Sequence, residues 1–250
     1  MSQPTEQKFA LPTLTAMVVG SMVGAGIFSL PQTFGRVTGG LGALIAWGIA
    51  GGGMLMLAFV FQTLSRRQPD LDAGVYAYAK AGFGNYLGFL SALGYWTVCC
   101  LGNVSYWVLI KSTLGALFPI FGDGNTVAAV AISSVGVWVV HFLILRGVRE
   151  AAFINTVVTV AKIIPILIFL VFVGVGFKAD IFAANFHGGP GLEAEGLFTQ
   201  VRGTMLVTVF VFVGIEGASV YSRYARRRED VGLATLLGFL GVLCLLVLVT

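Results

Sequence analysis

Two stretches of this 250-residue chain carry backbone chemistry. The first is Gly20-Ser21-Met22-Val23-Gly24-Ala25-Gly26-Ile27-Phe28, with three glycines in seven residues. The second is Phe212-Val213-Gly214-Ile215-Glu216-Gly217-Ala218-Ser219. Each lies mid-way along an apolar run, where glycine weakens a helix. Unwound backbone frees N–H and C=O groups that hydrocarbon cannot satisfy. Such groups persist where protein, water or a ligand pairs with them. The N-terminus of a half-helix suits a carboxylate, and freed carbonyls suit an ammonium. Paired interruptions therefore describe a holder for a small zwitterion. Taken alone, the first stretch has a plainer reading, since Gly20 and Gly24 form a GxxxG helix-packing pair. A nucleotide-binding glycine loop fits less well, because the spacing is not GxGxxG and no strand precedes it.

Two charges sit deep in apolar runs. Of eleven acids, only Glu216 does so. An ionised group at mid-bilayer costs about 2.5–3.5 kcal/mol even on lenient insertion scales, so Glu216 should face a cavity or a partner, or be protonated. Its role is a transport or proton-sensing one, or a structural hydrogen bond. Lys162 is the one base placed similarly; it reads either as a protonation switch or as a charged strut. Other chemistry finds little support. Cys99, Cys100 and Cys244 lie in apolar runs without zinc-ligand spacing and read as reduced small hydrophobes. His141 and His187 stand far apart with no acidic cluster, so neither metal nor cofactor is expected. His141 reads as a packing histidine near a helix end. No nucleophile–base pair suggests an enzyme.

The elements that must position these residues are membrane helices. Hydrophobic residues make up 57% of the chain and charged residues 10%, against about a quarter charged in soluble domains. Mean hydropathy is +0.93. Seven apolar runs have spanning length: 11–34, 41–64, 85–110, 125–145, 151–176, 201–222 and 232–250. A net charge of +4 could suggest nucleic acid, but the bases fall in short clusters between the runs, as topology determinants do. With the N-terminus cytoplasmic, inside loops hold Lys8, Arg66, Arg67, Lys80, Arg146, Arg149, Arg223, Arg226, Arg227 and Arg228. Outside loops hold Arg36, Lys111, Lys178 and Arg202. Ten against four obeys the positive-inside rule. The segment 65–84, with Asp72, Tyr76, Tyr78 and Lys80, suits a short interfacial helix. The segment 177–200, with His187-Gly188-Gly189-Pro190-Gly191, reads as an irregular outside loop. Trp47 reads as an ordinary apolar residue. The last run reaches Thr250 without a polar anchor, which reads as a chain cut within its seventh helix.

These residues resemble the amino acid–polyamine–organocation transporter superfamily. Gly24-Ala25-Gly26-Ile27-Phe28 resembles its first-helix signature, and Gly214-Ile215-Glu216-Gly217-Ala218-Ser219 its sixth. Pro69, Gly74, Tyr76, Tyr78 and Gly82-Phe83-Gly84 resemble its loop between helices two and three. The run from Val211 to Arg223 resembles the arginine/ornithine branch of its basic amino acid antiporters. The resemblance implies an all-α integral membrane protein with the LeuT-like five-plus-five inverted-repeat transporter fold. Residues 1–10 would be a cytoplasmic N-terminus and 11–176 the first repeat, its first helix broken near 20–26. Residues 177–200 would form an extracytoplasmic loop. Residues 201–250 would open the second repeat, with helix six broken near 214–219 and helix seven partial.

The resemblance also implies roles. Backbone at Ala25, Gly26 and Ile27 would bind a substrate carboxylate. Backbone near Phe210, Val213 and Gly214 would bind its α-amino group, with Phe210 as an aromatic gate. Asn103 would contact a cationic side chain, with Cys99, Cys100 and Tyr106 on the same helix face. Tyr95, Lys162 and Glu216 would serve gating or proton sensing. Agmatine-exchanging members carry tryptophan and serine at the positions of Phe210 and Ala25. The expected function is exchange of arginine for ornithine by alternating access across an inner or plasma membrane. The alternatives are proton-coupled amino-acid uptake, amino acid exchanged for its decarboxylation product, and a nonfunctional fragment. A homodimer is allowed.

Overall fold

A backbone dissolved in hydrocarbon must pair its polar groups internally, and the computed structural model of this chain does so with helices. It describes residues 9–68, 70–71, 74–145, 148–189, 192, 196–216, 225–227 and 229–250, without the side chains of 148–156. The roles expected of Lys8, Pro69, Asp72, Arg146, Pro190, Gly191, Arg228 and the sixth-run motif from Gly217 to Arg223 lie outside the described residues, as does the Arg149 side chain.

Helix α1 (Leu11–Met22) and helix α2 (Gly26–Val37) have 12 residues each, about 18 Å apiece at 1.5 Å rise. They meet at a 49° bend, and taken together the pair is long and apolar enough to cross a membrane. Then follow α3 (Gly40–Arg67), α4 (Gly74–Gly115), α5 (Val127–Leu145), α6 (Val148–Gly176), α7 (Ala179–Asn185), α8 (Leu197–Phe210) and α9 (Glu229–Val249). Five of these helices are long and apolar enough to cross a membrane, or six spans with the bent pair. The chain is an all-α integral membrane protein. Among the described residues the extended pairing is a single bridge, Phe9 with Ala225. Within α4 the backbone turns non-helical at Gly84 (φ 86°, ψ −178°), a kink that divides it into two helical stretches. Only glycine adopts that conformation readily.

The described chain divides into two compact units, 1–88 with 163–250 and 89–162. In the first, α1, α3 and α9 form the core. Lipid tails are as apolar as leucine, so such helices associate through close packing. Glycine provides it: a Cβ at Gly238 would strike Val18, and one at Gly51 would press on Leu243. An aromatic chain crosses the same core. Phe34 stacks on Trp47 at 5.5 Å, Trp47 meets Phe212 edge-on at 5.9 Å, and Phe212 lies 5.3 Å from Phe239. Trp47 is thus a central core residue rather than an ordinary apolar one.

Two further findings differ from expectation. The segment 177–200 is not irregular throughout, because α7 occupies 179–185. Lys111 is not a loop charge. It is buried in the last turns of α4, its ammonium 5.6 Å from the Trp107 ring and 5.2 Å from the Phe121 ring. Aromatic faces stabilise a cation electrostatically where water is scarce.

Candidate functional site

The site is built from the two places where helices stop. α1 ends with the Val23 N–H donating to Val19 O at 2.9 Å, and the Gly24 N–H reaches Met22 O at 2.9 Å. α2 restarts at Gly26 with no side-chain cap, so its first N–H groups and the positive end of its dipole face the break. α8 ends at Phe210, and residues 211–216 continue as turns. There the Val213 N–H donates to Phe210 O at 3.1 Å and the Ile215 N–H to Phe212 O at 3.2 Å.

The first unit brings these two breaks together. A Cβ on Gly26 would lie 2.6 Å from Val211 Cγ1, so the start of α2 packs directly on the end of α8. Gly214, at φ 109°, sits with its backbone against Ser21 and Met22; a Cβ there would lie 2.7 Å from Ser21 C and O. Both its conformation and its space therefore demand glycine. The Ser21 hydroxyl lies 2.8 Å from both Val18 O and Gly214 O and donates its one proton between them. Glu216, buried, turns back so that its Oε2 accepts the Gly214 N–H at 3.1 Å. Both polar groups of Gly214 are thus engaged within the protein. A positive half-helix end, a negative one and a buried carboxylate converge on one small region. This arrangement can hold a carboxylate and an ammonium a short distance apart.

Other expected residues fall as follows. Ala25 and Gly26 are half-buried at the break, while the Ile27 side chain is buried in the core. Phe210, the last residue of α8, and Val213, in the turns after it, are each 42% exposed. Cys99, Cys100, Asn103, Tyr106, Tyr95 and Lys162 belong to the second unit. There a groove of about 680 Å³ runs between α4 and α5, lined by Cys100, Asn103, Ser133, Ser134, Trp138 and His141 among others. Asn103 donates Nδ2–H to Cys99 O at 3.0 Å, one turn back on its own helix. Tyr106 and Tyr95 are exposed along α4, and Lys162 is half-buried on α6, one turn before Pro165. His141 is exposed on α5 near the helix end, its ring packed edge-on to Trp138 at 5.6 Å and to Phe142 at 5.8 Å.

The sequence reading missed two residues. Ser21 was visible only as part of the glycine motif, yet it links the two breaks across 193 positions. Gln200 was placed at a loop end, yet it is buried at 2% exposure and leads a stripe with Thr204 and Thr208 on one face of α8. That spacing of four, polar within an apolar run, is the signal that could have found it.

Comparison with known proteins agrees with this architecture. The amino acid permease family model matches residues 9–250. An arginine/ornithine antiporter of Pseudomonas aeruginosa is 58% identical over 249 residues, covering 100% of this chain and 52% of that protein. An L-lysine transport protein of Corynebacterium glutamicum is 50% identical, over 97% of this chain and 48% of its own length. An arginine/agmatine antiporter of Chlamydia felis is 41% identical, over 98% and 52% respectively. The chain spans about half the length of these relatives. The family model's match from Phe9 to the last residue places this chain in the amino acid permease family.

Proposed function

We propose that the complete carrier containing this chain exchanges cationic amino acids, arginine for ornithine, across a cell membrane by alternating access. The observation that carries this reading is the junction of α2 and α8, where an uncapped helix N-terminus meets a helix C-terminus at Gly26 and Val211. Backbone at Ala25, Gly26 and Ile27 holds the substrate carboxylate. Carbonyls near Phe210 and Val213 hold its ammonium, with Phe210 as the gate over it. The Gly214 carbonyl already accepts from Ser21, so its share in binding is through a second lone pair. Asn103 takes the cationic side chain, with Cys99, Cys100 and Tyr106 beside it, while Tyr95, Lys162 and Glu216 govern gating. The arginine and ornithine in the name of the 58%-identical relative supply the substrate pair. The N-terminus lies in the cytoplasm, and a homodimer fits the reading.

The test is transport by the carrier expressed from its complete reading frame and reconstituted in liposomes. Labelled arginine enters ornithine-loaded vesicles at neutral pH, and empty vesicles stay empty. Uptake into empty vesicles under an inward proton gradient overturns exchange. That outcome favours a second reading, proton-coupled uptake, for which the half-buried Lys162 in mid-span is the specific observation. Lys162→Met tests that second reading, because it abolishes uptake driven by a proton gradient.

A further inference from the structure

Away from the breaks, a polar cluster is buried within the first unit. Gln200, in the first turn of α8, is 2% exposed. Its Oε1 accepts the Gly39 N–H at 3.1 Å, with the Thr38 hydroxyl at 3.3 Å. Its Nε2 donates to His187 O at 3.3 Å and reaches Leu192 O at 3.5 Å. One N–H donor and two carbonyl acceptors fix the orientation of the amide. One side chain therefore ties three segments: the corner between α2 and α3, the stretch after α7, and the start of α8. The surrounding backbone is shaped for the tie. A Cβ on Gly39 would strike the Gly188 N and Asn185 O, one on Gly42 would strike Thr38 Oγ1, and one on Gly203 would strike Val37. Gly188 stands at φ 129°, and a Cβ there would lie 2.9 Å from Gln200 Nε2. The Leu41 N–H adds a backbone bond to Phe186 O at 2.9 Å.

The place of this collar gives it a consequence. α2 and α8 meet at one end at the breaks and at the other end through Gln200. The breaks are the positions where the backbone can bend, since 23–25 and 211–216 lie outside helix. Two half-helices joined at both ends cannot pivot independently. We infer that Gln200 is a positioning residue that locks α2, α8 and residues 186–189 with Leu192 into one body, so that they swing together about the two breaks during the transport cycle. It touches no substrate. It acts by setting the relative stability of the two access states. This inference rests on the exchange reading above for its kinetic consequence and on geometry alone for the collar.

Two variants test it in the complete carrier. Gln200→Leu keeps the volume and removes both arms. Gln200→Glu keeps an oxygen for Gly39 and Thr38 but loses the donor to His187 and Leu192. Hydrogen–deuterium exchange is read first, with no transport needed. Gln200→Leu speeds exchange in both 38–43 and 186–192 by about tenfold, as loss of one to two buried hydrogen bonds does. Gln200→Glu speeds 186–192 alone. Unchanged exchange in both segments overturns the collar. The second readout is KM for arginine on each face of the vesicle. A shifted balance of access states moves the ratio of outer to inner KM by about 2- to 12-fold, the span of one ordinary hydrogen bond. A variant that only loses active protein lowers the maximal rate with the ratio unchanged, and that result overturns the positioning role. A parent carrier that exchanges no amino acid sinks the exchange reading instead, while the labelling result still judges the collar.

Discussion

Gly214 shows how an unwound turn survives at membrane depth. Its N–H goes to Glu216 and its C=O to Ser21, so two polar side chains supply what a continuing helix would have supplied. Glu216 therefore has a structural task in addition to any part in gating. Glu216→Gln keeps an oxygen for the Gly214 amide and is expected to melt within about 1 kcal/mol of the parent. Glu216→Leu leaves a buried amide unsatisfied and is expected to lose about 1–3 kcal/mol. Thermal unfolding in detergent checks both; equal losses would show that the carboxylate charge, not the hydrogen bond, holds the turn. The glutamate was legible in the sequence because a lone acid in an apolar run is conspicuous. Its partner was not, since a backbone amide two residues away leaves no mark on residue type. Ser21 and Gln200 were hidden for a related reason. Beyond their near neighbours, both bond to groups 161 to 193 positions away in the chain, and no local pattern encodes that distance.

At the scale of elements, three glycines cluster where α1 stops: Gly20 precedes residues 23–25, Gly24 lies within them and Gly26 opens α2. Glycine also marks where helices touch, and the sequence does not distinguish the two uses. Gly24 lies in the break, whereas Gly238 and Gly51 are packing contacts inside intact helices. Gly26 serves both, opening α2 while receiving Val211. Gly26→Ala forces its new methyl onto Val211 Cγ1 and is expected to destabilise by about 1–3 kcal/mol. Val211→Ala vacates that space, so the double variant should recover about 1 kcal/mol relative to the sum of the single changes. A double-mutant cycle by thermal unfolding measures the coupling. Additive losses would mean that the two breaks do not pack as described. Lys111 and α7 went unseen at this scale because a short helix and the burial of a lysine near a helix end are made by the chain that folds over them, here Trp107 and Phe121 around the ammonium.

For the molecule as a whole, apolar run length and the absence of strand signals were enough to read the helical membrane class, because hydrocarbon leaves so few alternatives. Orientation rests on basic residues. Arg66 and Arg67 close α3, and Arg226 and Arg227 precede α9. Thiol labelling checks it, using single cysteines in a background where Cys99, Cys100 and Cys244 are replaced. A cysteine at Lys178 is expected to react with an impermeant reagent from outside intact cells, and one at Arg66 only after lysis. The reverse pattern would invert the protein. The packing of α1 against α9 carries one more consequence, for the order of assembly. Val18 meets Gly238, and Phe9 O accepts the Arg226 N–H at 2.8 Å, so α1 is completed by contacts about 220 residues later. At about 5–20 residues per second, α1 waits on the order of ten seconds or more beside the ribosome with its mid-span glycines unpaired. An unwound turn cannot be left to lipid for that time. During synthesis the break is expected to stay helical or shielded until residues 211–216, which pack on it, have been made.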